Sequence, residues 1–260
     1  MCFEERRGYG VGTWLSEGLE LFIERWKLLM AGLLILIAIS WVVDFITGVD
    51  PTLMFMVRVN VTDPSGSTTI LPFGHSQSWW QPFLSLFYYF LIFPVLSAGY
   101  YLLVLQAARK EEAGLGTLWA PFSRILSVLG AVLLYFLVVL VGFLLLVIPG
   151  IIWAIKYMYA PLVVVDQGLP AAEALGESGR ITAGYKWKLF LMALVFYLVI
   201  GLPVALILQA IAGASLFTGA VLAVVANLCL YPWYTAAFVV AYRDLVEEAG
   251  SGVPVPTPGA

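Results

Sequence analysis

The chain has 260 residues, of which 62 % are hydrophobic and 11 % charged, and its mean hydropathy is +0.97. Soluble domains carry roughly 45–50 % apolar and about 25 % charged residues, and a chain this size cannot hide so much apolar surface from water, which excludes a soluble globular protein and a disordered chain. The net charge of −3 excludes the basic signature of a nucleic-acid binder.

Cys2 and Cys229 make neither a disulfide framework nor a metal cluster. The first apolar run starts near Leu28, with basic residues before it and no small-residue cleavage site. It reads as a retained span, not a signal peptide or lipoprotein leader. A helix needs about 20 mostly apolar residues to cross a core of roughly 30 Å. Six segments qualify, over 28–47, 82–107, 125–148, 151–166, 189–211 and 216–242. The third and fourth share one apolar stretch divided by Pro149-Gly150, a turn signal. The fourth is the shortest and contains Pro161, which leaves a tilted, broken or re-entrant course open.

Between the first two spans lies a loop insertion over 47–81. Phe55, Val57, Val59 and Val61 alternate with Met56, Arg58, Asn60 and Thr62 there, which is strand period. Asp63-Pro64-Ser65-Gly66 signals a turn and 68–71 could return, so a small extracytoplasmic β-hairpin is expected. Trp79 and Trp80 then enter the second span at the interface. Asn60-Val61-Thr62 reads as a chance sequon, and His75, the single histidine, as a surface residue.

Orientation follows from Lys and Arg. With both termini cytoplasmic, 11 of the 13 fall inside; Arg58 lies in the outer loop and Lys156 within a span. Upstream of the first span, Trp14, Leu15, Gly18, Leu19 and Phe22 share one helical face opposite Glu17, Glu20 and Glu24. Shorter stripes precede the third span (Leu115, Leu118, Trp119, Phe122) and the fifth (Ala171, Ala174, Leu175, Ser178). Each fits a cytoplasmic interfacial helix with its apolar side in the headgroup region. Arg25-Trp26-Lys27 opens span one as Lys186-Trp187-Lys188 opens span five, with Gly18 and Gly179 eight residues before each Trp. The inferred unit of interfacial helix, basic junction and transmembrane hairpin is used three times, in parallel. Basic and aromatic residues at cytoplasmic span ends are the plainer reading.

Two charges lie in or near spans. Asp44 and Lys156 are placed at a similar outer depth, so an intramembrane ion pair is weighed against Asp44 reaching headgroup water and Lys156 snorkelling outward. In span six Ser215, Gly219, Ala223, Ala226 and Asn227 recur at helical spacing and suit helix packing or a protomer interface. Pro94, Pro161, Pro203 and Pro232 within spans, with Gln209 and Asn227, are the features that would suit a transport pathway. There is no Gly-x-Ser-x-Gly elbow, phosphate-binding Gly-Lys loop or His-based metal motif, so no catalytic residue, cofactor or metal is expected.

The stretch 144–189 reads Leu-Leu-Val-Ile-Pro-Gly-Ile-Ile, then Val163-Val164-Val165-Asp166, Glu173-Ala174-Leu175, Ser178, Gly184 and Trp187-Lys188-Leu189. It resembles the membrane domain found beside bacterial glycerophosphodiester phosphodiesterases, and related stand-alone multi-pass families without assigned function. The final Tyr242-Arg243-Asp244-Leu245 adds to that resemblance. In such fusions the catalytic domain is a separate soluble barrel, for which this chain has no room, so that activity is not expected here.

The expected fold is all-α: a polytopic membrane helix bundle of six transmembrane helices in three hairpins, with cytoplasmic interfacial helices and the small outer hairpin. Residues 1–249 form one transmembrane domain and 250–260 a Pro- and Gly-rich disordered tail. The expected role is that of a non-enzymatic scaffold or accessory subunit in the cell (plasma or inner) membrane. Its partners are membrane lipids and other membrane subunits met through the 47–81 loop, not nucleic acid. The alternative is a transporter or channel for a small or lipid-like solute.

Overall fold

The computed structural model describes residues 10–47, 61–62, 68–69, 79–204, 206 and 216–250. The described chain is almost wholly helical. Helix α1 (Val11–Thr47) is kinked at Arg25, whose backbone leaves the helical region (φ −113°, ψ 21°). Helix α2 (Gln81–Phe87) runs through a π-helical segment, Tyr88–Ile92, into α3 (Phe93–Ala108). A 3₁₀ helix, Leu115–Arg124, leads to α4 (Ile125–Leu145), α5 (Val147–Tyr157), α6 (Ala160–Gln167) and α7 (Ala171–Ile181). Helix α8 (Lys186–Val195) continues into a second π-helical segment, Phe196–Gly201, and α9 (Leu216–Gly250) closes the described chain. Val61–Thr62 and Thr68–Thr69 pair antiparallel, with Val61 opposite Thr69. The rest of the expected outer hairpin, with Asn60 and His75, lies outside the described residues, as do Gln209, Ser215 and 251–260.

Five helical stretches among the described residues are long and apolar enough to cross a membrane: Val11–Thr47, Phe83–Ala108, Leu115–Leu145, Val147–Gln167 and Lys186–Val204. The expected count of six is not reached, and several boundaries move. The break between the third and fourth stretches falls at Leu146 (φ −166°, ψ 154°), not at Pro149-Gly150. Pro149 sits instead in the first turn of α5, where a missing N–H costs nothing. The first span and its upstream amphipathic segment form one helix, with the kink inside the basic junction. The last helix runs on to Gly250 because its end is held by packing against α1, as described below.

Pro161 lies in the first turn of α6, after a break at Met158-Tyr159. There α7 supplies the missing partners. Ser178 Oγ accepts from Tyr159 N–H (3.2 Å) and donates to the Lys156 carbonyl (3.1 Å), and Thr182 Oγ1 donates to the same carbonyl (3.0 Å). Gly168, at φ +72°, closes α6 with a left-handed cap that a side chain would strain.

Burial is uneven along the bundle. The packed core centres on Trp14, Tyr100, Leu103, Leu118, Tyr159 and Tyr242, all without solvent exposure. The large exposed apolar side chains gather on α2, on the C-terminal part of α1 and on the α4–α5 hairpin. The amphipathic stripes turn toward this core and not only toward lipid. Trp14, Gly18, Ala174 and Ser178 are buried, as are Leu118 and Pro121 of the 3₁₀ helix. Small residues on a stripe let another helix close on it, which a lipid-facing stripe does not need.

The α4–α5 hairpin is zipped by two glycines. A Cβ at Gly142 would lie 2.9 Å from the Gly150 Cα and 2.9 Å from the Trp153 ring, and one at Gly150 would strike the Phe143 ring at 2.6 Å. Gly142→Leu should therefore splay the hairpin and lower the melting temperature of the purified protein, with a cost of about 1–3 kcal/mol for overpacking. Gly176→Leu, with nothing within 4 Å of its Cβ position, should not.

Candidate functional site

The polar side chains converge where the ends of α1, α3, α6 and α9 meet. Helix α3 ends at Ala108 and presents Arg109 to the last turn of α6. Arg109 grips Asp166 through both Nη atoms (2.5 and 2.9 Å). Tyr242 of α9 donates to the same carboxylate at 2.8 Å, so three helices share one anion. The next residue, Arg243, donates to Glu17 Oε2 (2.9 Å), to Asp244 Oδ1 (2.7 Å) and to the Ala108 carbonyl (3.3 Å). Trp14 Nε1–H completes this second network by donating to Asp244 Oδ2 at 3.2 Å. The two networks are neighbours in the chain at 108–109 and at 242–243.

Burial dominates the Asp244 carboxyl and raises it above the usual carboxylate range, against the pull of Arg243. For Arg243 the balance is reversed. Burial alone would lower it, yet Asp244 and Glu17 together hold it raised and therefore charged. The hydrogen bonds to Asp166 raise Arg109 in the same way. On α7, Arg180 donates to both oxygens of Glu177 (2.7 and 2.6 Å) and holds that carboxyl below its usual range.

Beside the networks lies an open groove of about 400 Å³, lined by Glu17, Glu20 and Glu24 of α1, by Ala107 of α3 and Lys110 after it, and by Arg243. It sits at the end of the bundle. Among the described residues no group of three or more His, Cys, Asp or Glu side chains could hold a metal ion. Glu17, Asp166 and Asp244 are engaged by Arg109 and Arg243, and these pairs tie four helix ends together at one level.

The residues singled out from the sequence fare differently. Asp44 is 1 % exposed; it accepts from the Tyr89 hydroxyl at 2.6 Å, beside a Ser40–Tyr88 hydroxyl contact of 2.8 Å, and its Oδ2 has no hydrogen-bond partner. Lys156 stands elsewhere, its stem against Gly179 of α7 and its ammonium 4.8 Å over the Tyr157 ring. The structure thus does not bring Asp44 and Lys156 together. The break before Pro161 docks Lys156 on α7, and the π-helical segment turns Tyr89 toward Asp44. Gly219, Ala223 and Asn227 lie on α9, but their side-chain surroundings are outside the described residues; Ala226 is half-buried. Arg109, Arg243, Glu17 and Trp14 were missed as a site. Arg109 counted only as an orientation marker and Arg243 as that and as part of the closing Tyr-Arg-Asp-Leu motif, and nothing in their spacing names partners 57 and 226 residues away.

Residues 123–249 match a family model described as a protein of unknown function (DUF975). The matched segment takes in Asp166, Tyr242, Arg243 and Asp244, but not Trp14, Glu17 or Arg109. No curated protein and no solved structure matches the chain. The resemblance to the membrane domain of glycerophosphodiester phosphodiesterases finds no support here: nothing links the matched family to those enzymes.

Proposed function

We propose that the protein is a non-enzymatic, multi-pass scaffold or accessory subunit of a complex in the cell membrane, with both termini cytoplasmic. The observation that carries this reading is the mutual engagement of the polar groups at the charged end of the bundle. Asp166, Arg109, Tyr242, Arg243, Asp244 and Glu17 satisfy one another across four helices, and the core around them is filled by apolar and aromatic side chains. Side chains so engaged hold a shape; they are not disposed to meet a substrate or to line a water-filled route. The broad apolar surface of α2 and of the α4–α5 hairpin supplies contact area for lipid and for neighbouring subunits. The 47–81 loop is the proposed contact for a partner outside the membrane.

The test is gentle purification from native membrane with mass spectrometry of everything that stays bound. A stoichiometric membrane protein partner, lost when residues 48–81 are deleted, is the expected result. A chain that emerges alone, or with one enriched lipid or solute, would overturn the accessory reading in favour of transport, and flux in vesicles would then be measured.

A further inference from the structure

We infer that the α4–α5 hairpin does not cross the membrane but enters it from the charged end of the bundle and stops partway, with lipid acyl chains packed around its tip. This goes beyond the proposed role and holds whichever partner the protein serves.

The depth follows from Lys156. Its carbonyl accepts from Ser178 and Thr182 of α7, and its side chain lies on Gly179. Helix α7 cannot sit in hydrocarbon, because it carries Glu173, Glu177 and Arg180, and Arg180 reaches the Ala249 carbonyl at the end of α9. The chain leaving α7 enters α8 through Lys186 and Lys188. Lys156 therefore stands level with groups that need water. From Lys156 to the turn at Leu146 is ten residues of helix, about 15 Å at 1.5 Å per residue. That is half of a hydrocarbon core of roughly 30 Å. By the same measure α1 runs about 30 Å from Lys27 to Thr47, enough to cross. On this reading the lower half of α4 lies beside α7, where Val128 and Ala131 are buried and a Cβ at Gly130 would meet Ala171, and its apolar length overstates how far the hairpin penetrates.

The chemistry of the tip agrees. Leu144, Leu145, Leu146, Val147 and Ile148 are 63 to 77 % exposed, and no polar side chain interrupts them. A turn at a water interface would not be built so. Leu146, at the turn itself, has both backbone groups paired: its N–H donates to the Gly142 carbonyl at 3.0 Å and its carbonyl accepts from Gly150 N–H at 3.2 Å. Each amide paired within the turn lowers what the turn would cost in hydrocarbon, where unpaired backbone groups are expensive.

The test uses the full chain with Cys2→Ser and Cys229→Ser, reconstituted in phosphatidylcholine–phosphatidylglycerol vesicles, carrying Leu146→Cys. Gly116→Cys, in open space at the charged end of the bundle, is the control expected to face water. A membrane-impermeant maleimide applied to either side should label position 146 at least about tenfold more slowly than position 116. A fluorophore attached there in detergent before reconstitution should be quenched most by lipids bearing the quencher near the acyl-chain end. Rapid labelling from the face opposite Gly116, or strongest quenching from the headgroup, would mean that the hairpin crosses and would overturn the inference. Leu144→Cys carries the same reading should the first variant fail to fold.

Discussion

Asp166→Ala is expected to be the most damaging single truncation at the charged end of the bundle. Asp166 is 7 % exposed at its side chain and holds Arg109 bidentately while accepting from Tyr242. Removing it strands a guanidinium among α3, α6 and α9, and breaking a buried pair from one side costs about 3–5 kcal/mol. A thermal melt of the detergent-purified protein should show a large downward shift or no folded protein at all. Asp166→Asn keeps an acceptor for Tyr242 and should lose less. Replacing both partners, Arg109→Met with Asp166→Leu, removes the stranded charge and should recover most of the loss. Single truncations that leave the melt unchanged would mean that water screens the pair and that it contributes little.

That prediction also marks the limit of what can be read from the chain alone. The membrane-length apolar runs were legible because composition and length decide them. The kink at Arg25 falls within the basic junction, and Gly18 and Gly179, paired by their spacing from Trp26 and Trp187, each receive a close neighbour, Ala237 and Lys156 respectively. What local pattern could not supply was direction in three dimensions. The stripe of Trp14 and Gly18 satisfies a lipid-facing helix and a core-facing one equally well. Only the approach of α9 decides between them. The same holds for depth. Counting from Pro149-Gly150 as an outer turn places Lys156 near the outer boundary, whereas the contacts of Lys156 with Ser178, Thr182 and Gly179 place it against α7. Apolarity measures compatibility with lipid, and how far a segment penetrates is set by which neighbour holds its other end.

Gly18 supplies the second large effect. A Cβ there would lie 2.5 Å from the Ala237 nitrogen and 2.6 Å from its Cα, both backbone atoms of α9 that no rotamer change can move. Gly18→Val must push α1 and α9 apart. Separation also pulls on the contacts on either side of the crossing, Trp14 with Asp244 and Arg243 with Glu17. Overpacking costs about 1–3 kcal/mol, and each lost charge-assisted hydrogen bond adds about 1.5–3 kcal/mol. The expected melt is therefore displaced as strongly as that of Asp166→Ala, by a different route. Ala237→Gly should not rescue it, since removing the methyl, itself 2.8 Å away, leaves the closer backbone clash in place. Gly12→Ala on the same helix meets nothing within 4 Å and should be neutral or stabilising by up to about 1 kcal/mol through helix propensity. If Gly18→Val melted like Gly12→Ala, the helices would not be in contact at that crossing, and the clamp at the charged end would have to be held by its ion pairs alone.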